Sequence, residues 1–254
     1  AGEDSLLSAI LDGTPTLQLQ LGYENSDFDD GTRDEAEGLT LRTRLAYKTK
    51  SYANLQAFVQ WQHVNNMVED FRFPGGGDGG HDIIADPDGN RIHQAYLDFT
   101  GISDTTIRYG LQEVVLDNAR MIGNVGWRTQ AQSFLGVSIE NKSIENLTLK
   151  GAYLSKVQTI FKTVVDIDSL ILFNAKYKVS DELNVTGFVY LDDKVGTNDT
   201  ATYGATAAGS IEGFNYALTA ATQQDYEDSV DIDAQMINAD ISTKVSDVKI
   251  GLGY

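Results

Sequence analysis

The chain has 254 residues, a formal net charge of −18 and a pI near 4.3. Such acidity argues against a nucleic-acid partner, which needs clustered Lys and Arg, and the absence of Cys excludes disulfides and thiolate metal sites. No run of about 18 apolar residues occurs, so no membrane-crossing helix is expected; a β-barrel stays open, since its strands need only one apolar face and its mean hydropathy, here −0.25, looks soluble.

The opening Ala1-Gly2-Glu3-Asp4 fits a mature end left by signal-peptide cleavage. Residues 4–12, DSLLSAILD, read as a short helix capped by Asp4 or Ser5 and ended by Gly13. Beyond Pro15 the hydrophobic period becomes two. The expected organisation is therefore an N-terminal periplasmic helix at the edge of a plug (1–14), followed by a β-barrel (15–254).

In the first strand, 16–24, Leu17, Leu19, Leu21 and Tyr23 share one face, and Gln18, Gln20, Gly22 and Glu24 the other. In 39–48, Leu39, Leu41, Leu45 and Tyr47 oppose Thr40, Arg42, Arg44 and Lys48. In 54–62, Leu55, Ala57, Val59 and Trp61 oppose Gln56, Phe58, Gln60 and Gln62. In 92–99, Ala95, Leu97 and Phe99 oppose Gln94, Tyr96 and Asp98; in 105–112, Ile107, Tyr109 and Leu111 oppose Arg108, Gly110 and Gln112. Further strands are expected at 132–140, 146–156, 168–178, 182–192, 202–211, 213–223, 233–244 and 247–254. That makes about thirteen strands of about ten residues, the length a tilted membrane strand needs.

Tight turns marked by Ser, Asp and Gly alternate with longer loops at 25–37, 63–91, 113–131, 157–166, 193–201 and 224–232. Short turns on one side and long loops on the other characterise outer-membrane barrels. A soluble β-sandwich also alternates faces. Against it stand the aromatics near strand ends on the apolar face (Tyr23, Tyr47, Trp61, Phe99, Tyr177, Tyr254), the pattern of an interfacial girdle. A soluble core would also bury the Gln, Arg and Lys of the opposite face without enough partners. The fold class is thus all-β, a transmembrane antiparallel up-and-down barrel. Bacterial barrels have even strand numbers, so about thirteen strands imply further sequence beyond residue 254.

Residues 94–134 resemble porins of the alginate-export-like family. The matching segments are QAYLDF (94–99), IRYGLQ (107–112), LDNARM (116–121) and GWRTQAQSF (126–134), with LRTRLAYKT (41–49) and DPDGN (86–90) also fitting. Leu111 stands where that family often has Arg. The resemblance implies a longer barrel of about eighteen strands and outer-membrane passage of polar or anionic solutes, with no commitment to alginate.

On the polar-face parity lie Arg42, Arg44, Lys48, Arg108, Lys150, Lys156, Lys176 and Lys178, against Glu24, Asp98, Glu140, Asp192 and Asp240. The remaining acids crowd the loops; 25–37 alone holds Asp27, Asp29, Asp30, Asp34, Glu35 and Glu37. Two readings stay open: a basic stripe that favours anions, or cations that simply balance neighbouring acids. Loop 113–131, with Glu113, Asp117, Asn118, Arg120, Trp127, Arg128 and Gln130, is the candidate inward constriction. Its arginines are suited to forked bonds with carboxylates, or to pairing with Asp117. Trp127 suits stacking on a sugar, or an interfacial position. Tyr96, Asp98, Gln112 and Glu113 complete the candidate pore lining.

Asp86, Asp88 and Asn90 are weak calcium candidates, because the later bidentate Glu of a full calcium loop is missing; an ordinary Asp-Gly turn is the plainer reading. No cofactor is implied. The three histidines, His63, His81 and His93, form no HExxH motif, and no GxSxG elbow exists, so an enzyme is not expected. By simple alternation His93 points with Ala95, away from the polar face, unless a bulge shifts the register. The functional expectation is a passive porin in a Gram-negative outer membrane for small hydrophilic solutes, anionic or saccharide-like, contacting bilayer and lipopolysaccharide. A dedicated anionic-polysaccharide exporter and a structural or adhesive barrel are the alternatives.

Overall fold

The computed structural model describes residues 5–28, 31–193, 199–227 and 231–253. Asp4, Asp29, Asp30 and Tyr254, used above, lie outside them. Helix α1 (Leu6–Leu11) carries Ser5 as N-cap: the Ser5 hydroxyl accepts from the Ser8 N–H, and the Ser8 hydroxyl accepts from the Ser5 N–H. The Tyr47 hydroxyl accepts the Gly13 N–H at 2.9 Å and donates to the Ile10 carbonyl, which fastens the helix end to the sheet.

The strands are β1 (Thr14–Ser26), β2 (Ala36–Lys48), β3 (Leu55–Asp70), β4 (Arg72–Phe73), β5 (Gly76–Gly77), β6 (Gly89–Ile102), β7 (Thr105–Gln112), β8 (Ser133–Asn141), β9 (Leu147–Gln158), β10 (Val164–Lys178), β11 (Asn184–Asp193), β12 (Thr200–Ile211), β13 (Phe214–Asp225), β14 (Asp233–Val245) and β15 (Val248–Gly253). Thirteen of them form one sheet in purely sequential order; β4 pairs with β5, and its Arg72 also bridges to Ile83. That is the antiparallel up-and-down arrangement the alternating pattern predicts. Each of the thirteen expected strands has its counterpart. The one large departure is the expected loop 63–91: β3 runs on to Asp70, and the β4–β5 ladder occupies part of the rest.

Burial in the sheet is inverted relative to a water-soluble protein. In β2, Arg42 and Arg44 are 3% and 8% exposed while Leu45 is 50% exposed. In β1, Leu17, Leu19, Leu21 and Tyr23 are each at least 60% exposed. Soluble folds bury the leucines and solvate the guanidiniums; here the apolar side chains face outward, as lipid requires.

By internal contacts the chain divides into two compact units. The first comprises residues 1–99, 108–136 and 156–165; the second comprises 100–107, 137–155 and 166–254. The first has a small apolar cluster of Ala36, Phe71 and Ile84, with Phe73 packed on it. The second buries Leu154, Leu170, Leu172, Phe188 and Tyr190.

Candidate functional site

The candidate site lies wholly in the first unit, where β2, β3 and β6 meet loop 113–132. Its geometry depends on a β-bulge. Gln60 pairs with Gln94 but Trp61 pairs with Ile92, so His93 is an extra residue in β6. Ile92 stays 45% exposed, His93 is fully buried, and Ala95 is exposed again. The expectation that His93 points away from the polar face is therefore corrected: the bulge turns His93 and Gln94 to the same side.

His93 is held from several directions. Its Nε2 lies 2.6 Å from Glu113 Oε1, and its Nδ1 lies 3.5 Å from Arg91 Nη2. The 2.6 Å contact is to a carboxylate, which only accepts, so the Nε2–H donates to Glu113 and Nδ1 is left to accept from Arg91. Arg44 Nη2 approaches the same Nε2 at 3.1 Å, Arg44 Nη1 lies 3.4 Å from Glu113 Oε1, and Arg44 Nε donates to Gln62 Oε1 at 2.6 Å. The Glu113 backbone N–H donates to Gln94 Oε1 at 3.1 Å. Glu113 follows the last residue of β7; burial raises its carboxyl pKa, but the hydrogen bond to His93 and the charge of Arg44 outweigh this, and the net shift is downward.

Loop 113–132 is tied in by its backbone as well. Arg42 donates to the carbonyls of Arg128 (3.3 Å) and Thr129 (3.5 Å), and Arg91 donates to the Ala131 carbonyl. Gln62 Nε2 donates to Gln130 Oε1 at 2.7 Å, and Gln130 Nε2 donates to the Pro87 carbonyl at 3.1 Å. Arg42, Arg91 and Gln62 from the sheet thus do for the loop what a ladder does for a strand. Val114, Leu116, Gln130 and Ala131 are buried.

The remaining expected residues fall into two groups. Arg108 makes a two-pronged ion pair with Asp98 (2.7 and 2.9 Å) and lies 3.7 Å over the Tyr96 ring, which stacks on Phe58 at 5.0 Å. Gly110, with φ +137°, permits the approach: a Cβ there would lie 2.7 Å from the Tyr96 Cα. Gln112 is buried and donates to the Gly136 carbonyl at 3.2 Å. Arg128 pairs with Glu24 at 2.6 Å and Asp86 at 3.6 Å. By contrast, Asn118 and Arg120 are exposed at the loop turn, where the Arg120 N–H donates to Asn118 Oδ1. Lys150 pairs with Glu140 at 3.6 Å with both side chains over a third exposed, and Lys176 is exposed.

The calcium reading gains no support. Asp86 Oδ1 accepts the Thr129 N–H at 3.0 Å and Oδ2 faces Arg128, while Asp88 and Asn90 are exposed. A guanidinium and a backbone N–H take the place of a cation there. Among the described residues no cluster of acids and histidines is arranged to hold a metal.

No family model matches the chain, and no curated protein matches it. Solved structures do. The chain is similar to a BenF-like porin from Pseudomonas fluorescens Pf-5 (TM-score 0.75, 16% identity, 96% of this chain and 67% of that one). It is similar to OccAB4 from Acinetobacter baumannii (0.67, 16%, 95% and 66%) and to OccK2 (OpdF) from Pseudomonas aeruginosa in complex with glucuronate (0.70, 12%, 97% and 65%). The fold is the porin β-barrel fold. The chain spans about two thirds of the length of these porins. The sequence resemblance to alginate-export-like porins gains no support from them, and the assignment is reduced to the coarser one of a porin fold.

Proposed function

We propose that the chain forms a passive channel in a Gram-negative outer membrane for small hydrophilic solutes. The observation that carries this reading is the inverted burial of β2: guanidiniums of Arg42 and Arg44 inside, Leu45 outside. Such a sheet is stable only with lipid on one face and a polar interior on the other. The apolar side chains then contact bilayer and lipopolysaccharide. The porin fold supports the reading, and OccK2, solved in complex with glucuronate, is a related barrel that accommodates a small polar sugar acid.

In this channel Arg42, Arg44, Tyr96, Asp98, Arg108, Gln112, Glu113 and Arg128 line the constricted part, with Asn118 and Arg120 at the loop turn and Lys150 and Lys176 on the second unit. Charge balance narrows the selectivity. Arg108 and Arg128 are neutralised by Asp98, Glu24 and Asp86. Arg42, Arg44 and Arg91 share Glu113, which leaves a local positive excess and a mild anion preference. This is a weaker field than a polyanion exporter needs. His93 is turned inward, away from the lipid face where a barrel phospholipase would act. Purified chain in planar bilayers should give ohmic conductance and, under a salt gradient, a reversal potential displaced toward the anion. Absence of conductance would sink the channel and favour the adhesive or structural barrel.

A further inference from the structure

A cavity of about 190 Å³ opens where β1 and β2 meet the two long loops of the first unit. Its lining includes Gln20, Glu24, Thr40, Asp86, Trp127 and Thr129. At ~30 Å³ per water this is room for about six waters, on the order of one monosaccharide ring.

Three observations fix the chemistry of an occupant. Trp127 is 69% exposed, and the Arg128 guanidinium lies 4.0 Å from its ring centroid. A tryptophan braced on one face by a cation presents the other to the C–H face of a sugar ring. The Thr129 hydroxyl is the second: the residue is 3% exposed, yet its Oγ1 has no hydrogen-bond partner. A buried hydroxyl without a partner costs free energy, which a small rotation of this wall residue toward an occupant's hydroxyl would recover. The third is charge. The ionised groups lining the cavity are both carboxylates, Glu24 and Asp86, and Arg128 is already engaged with each of them. Carboxylates accept from hydroxyls and repel another carboxylate.

From this geometry we infer that the cavity is a binding subsite for a neutral monosaccharide, with Trp127 as stacking platform, Glu24 and Asp86 as hydroxyl acceptors and Thr129 as a further hydroxyl partner. The inference deepens the channel reading, since bound sugar would retard its own passage, and it separates this site from the positive cluster at Arg42, Arg44 and Arg91.

The test uses the full chain in two assays. The protein has two tryptophans, Trp61 and Trp127, so Trp61→Phe leaves one reporter. D-glucose should shift its fluorescence saturably, and sodium D-glucuronate at matched ionic strength should bind about tenfold more weakly. In planar bilayers with the unmodified tryptophans, glucose should interrupt the current. Thr129→Val should weaken that block about fivefold, Trp127→Ala should remove it, and Trp127→Phe should retain it in weaker form. Glucuronate binding as tightly as glucose, or a block unchanged in Trp127→Ala, would overturn the subsite. Conductance without any saturable glucose response overturns the subsite and leaves the channel reading standing. A saturable fluorescence response without conductance supports the subsite and rejects the channel.

Discussion

The two units of the sheet solve the same problem with different side chains. In the first, the polar face is filled by ions: Arg42, Arg44, Arg91, Glu113, Asp98, Arg108 and Arg128 are cross-linked at distances from 2.6 to 3.6 Å where measured between charged groups. In the second, the same parity carries Leu170, Leu172, Phe188, Tyr190 and a run of small polar residues. There Phe188 stacks on Tyr190 at 4.9 Å, Thr206 and Thr219 share a 2.9 Å hydrogen bond, and Gln223 donates to Thr202 at 3.0 Å. The first unit also has a loop to hold, and directional, charged bonds hold it in one geometry. The second packs its inward side chains, and the ion pair on its polar-face parity, Lys150 with Glu140, is over a third exposed on both sides. An ionic face is therefore a mark of where an inserted segment is anchored, rather than of the fold as such.

The comparison can be broken most sharply in the second unit. Phe188→Ala should cost about 3–5 kcal/mol, read by chemical unfolding in liposomes, with the same loss at neutral and acid pH. A cost below about 1 kcal/mol would mean that the packing there contributes little. The feature the units share, the exposed apolar face, should respond alike in both. Leu21→Arg and Leu218→Arg should each destabilise by about 2–4 kcal/mol, and a neutral outcome in only one of them would place that region out of lipid. In the first unit, Glu113→Gln should cost about 2 kcal/mol and displace the reversal potential further toward the anion. An unchanged potential would remove Glu113 from the conduction path.

The smallest effect concerns acid. The folded Glu113 carboxyl titrates below its ordinary value of 4.5. A depressed folded value means that its contribution is fully present above that ordinary value and lost as the pH falls through the lower, folded one. Stability of the wild type should therefore drop in that window more than stability of Glu113→Gln. Equal pH profiles would show that Glu113 is not coupled to Arg44 and His93 as the distances indicate.

Most of the sheet was legible because period two is a property of the chain itself. Leu17, Leu19 and Leu21 alternate with glutamines whichever strand pairs with them, so strand positions follow from sequence alone. Helix α1 was legible for the same reason, through Ser5 and Gly13. Loop 113–131 stood out as charged, long and rich in Arg and Trp. What stayed hidden depends on neighbours distant in sequence. Gln62 and Arg91 read as ordinary polar residues until β3, β6 and the loop come together. Whether Arg108 and Arg128 are free or balanced stays open in the sequence until Asp98, Glu24 and Asp86 face them. Simple alternation misplaces His93, because it takes a bulge to turn this residue to the polar face. The signal was present: His93 and Gln94 are consecutive polar residues between outward-facing Ile92 and Ala95, which no unbroken alternation permits.

That bulge has an evolutionary corollary. Removing residue 93 would leave Arg91 in, Ile92 out, Gln94 in and Ala95 out, an unbroken β-strand with every flanking side chain still on its present face. Loss of a codon in a strand usually inverts everything downstream; at this one position it would spare the sheet and delete only the imidazole that links Arg91 to Glu113. Here a lineage can rebuild the polar face by a single insertion or deletion, with the exposed apolar face untouched.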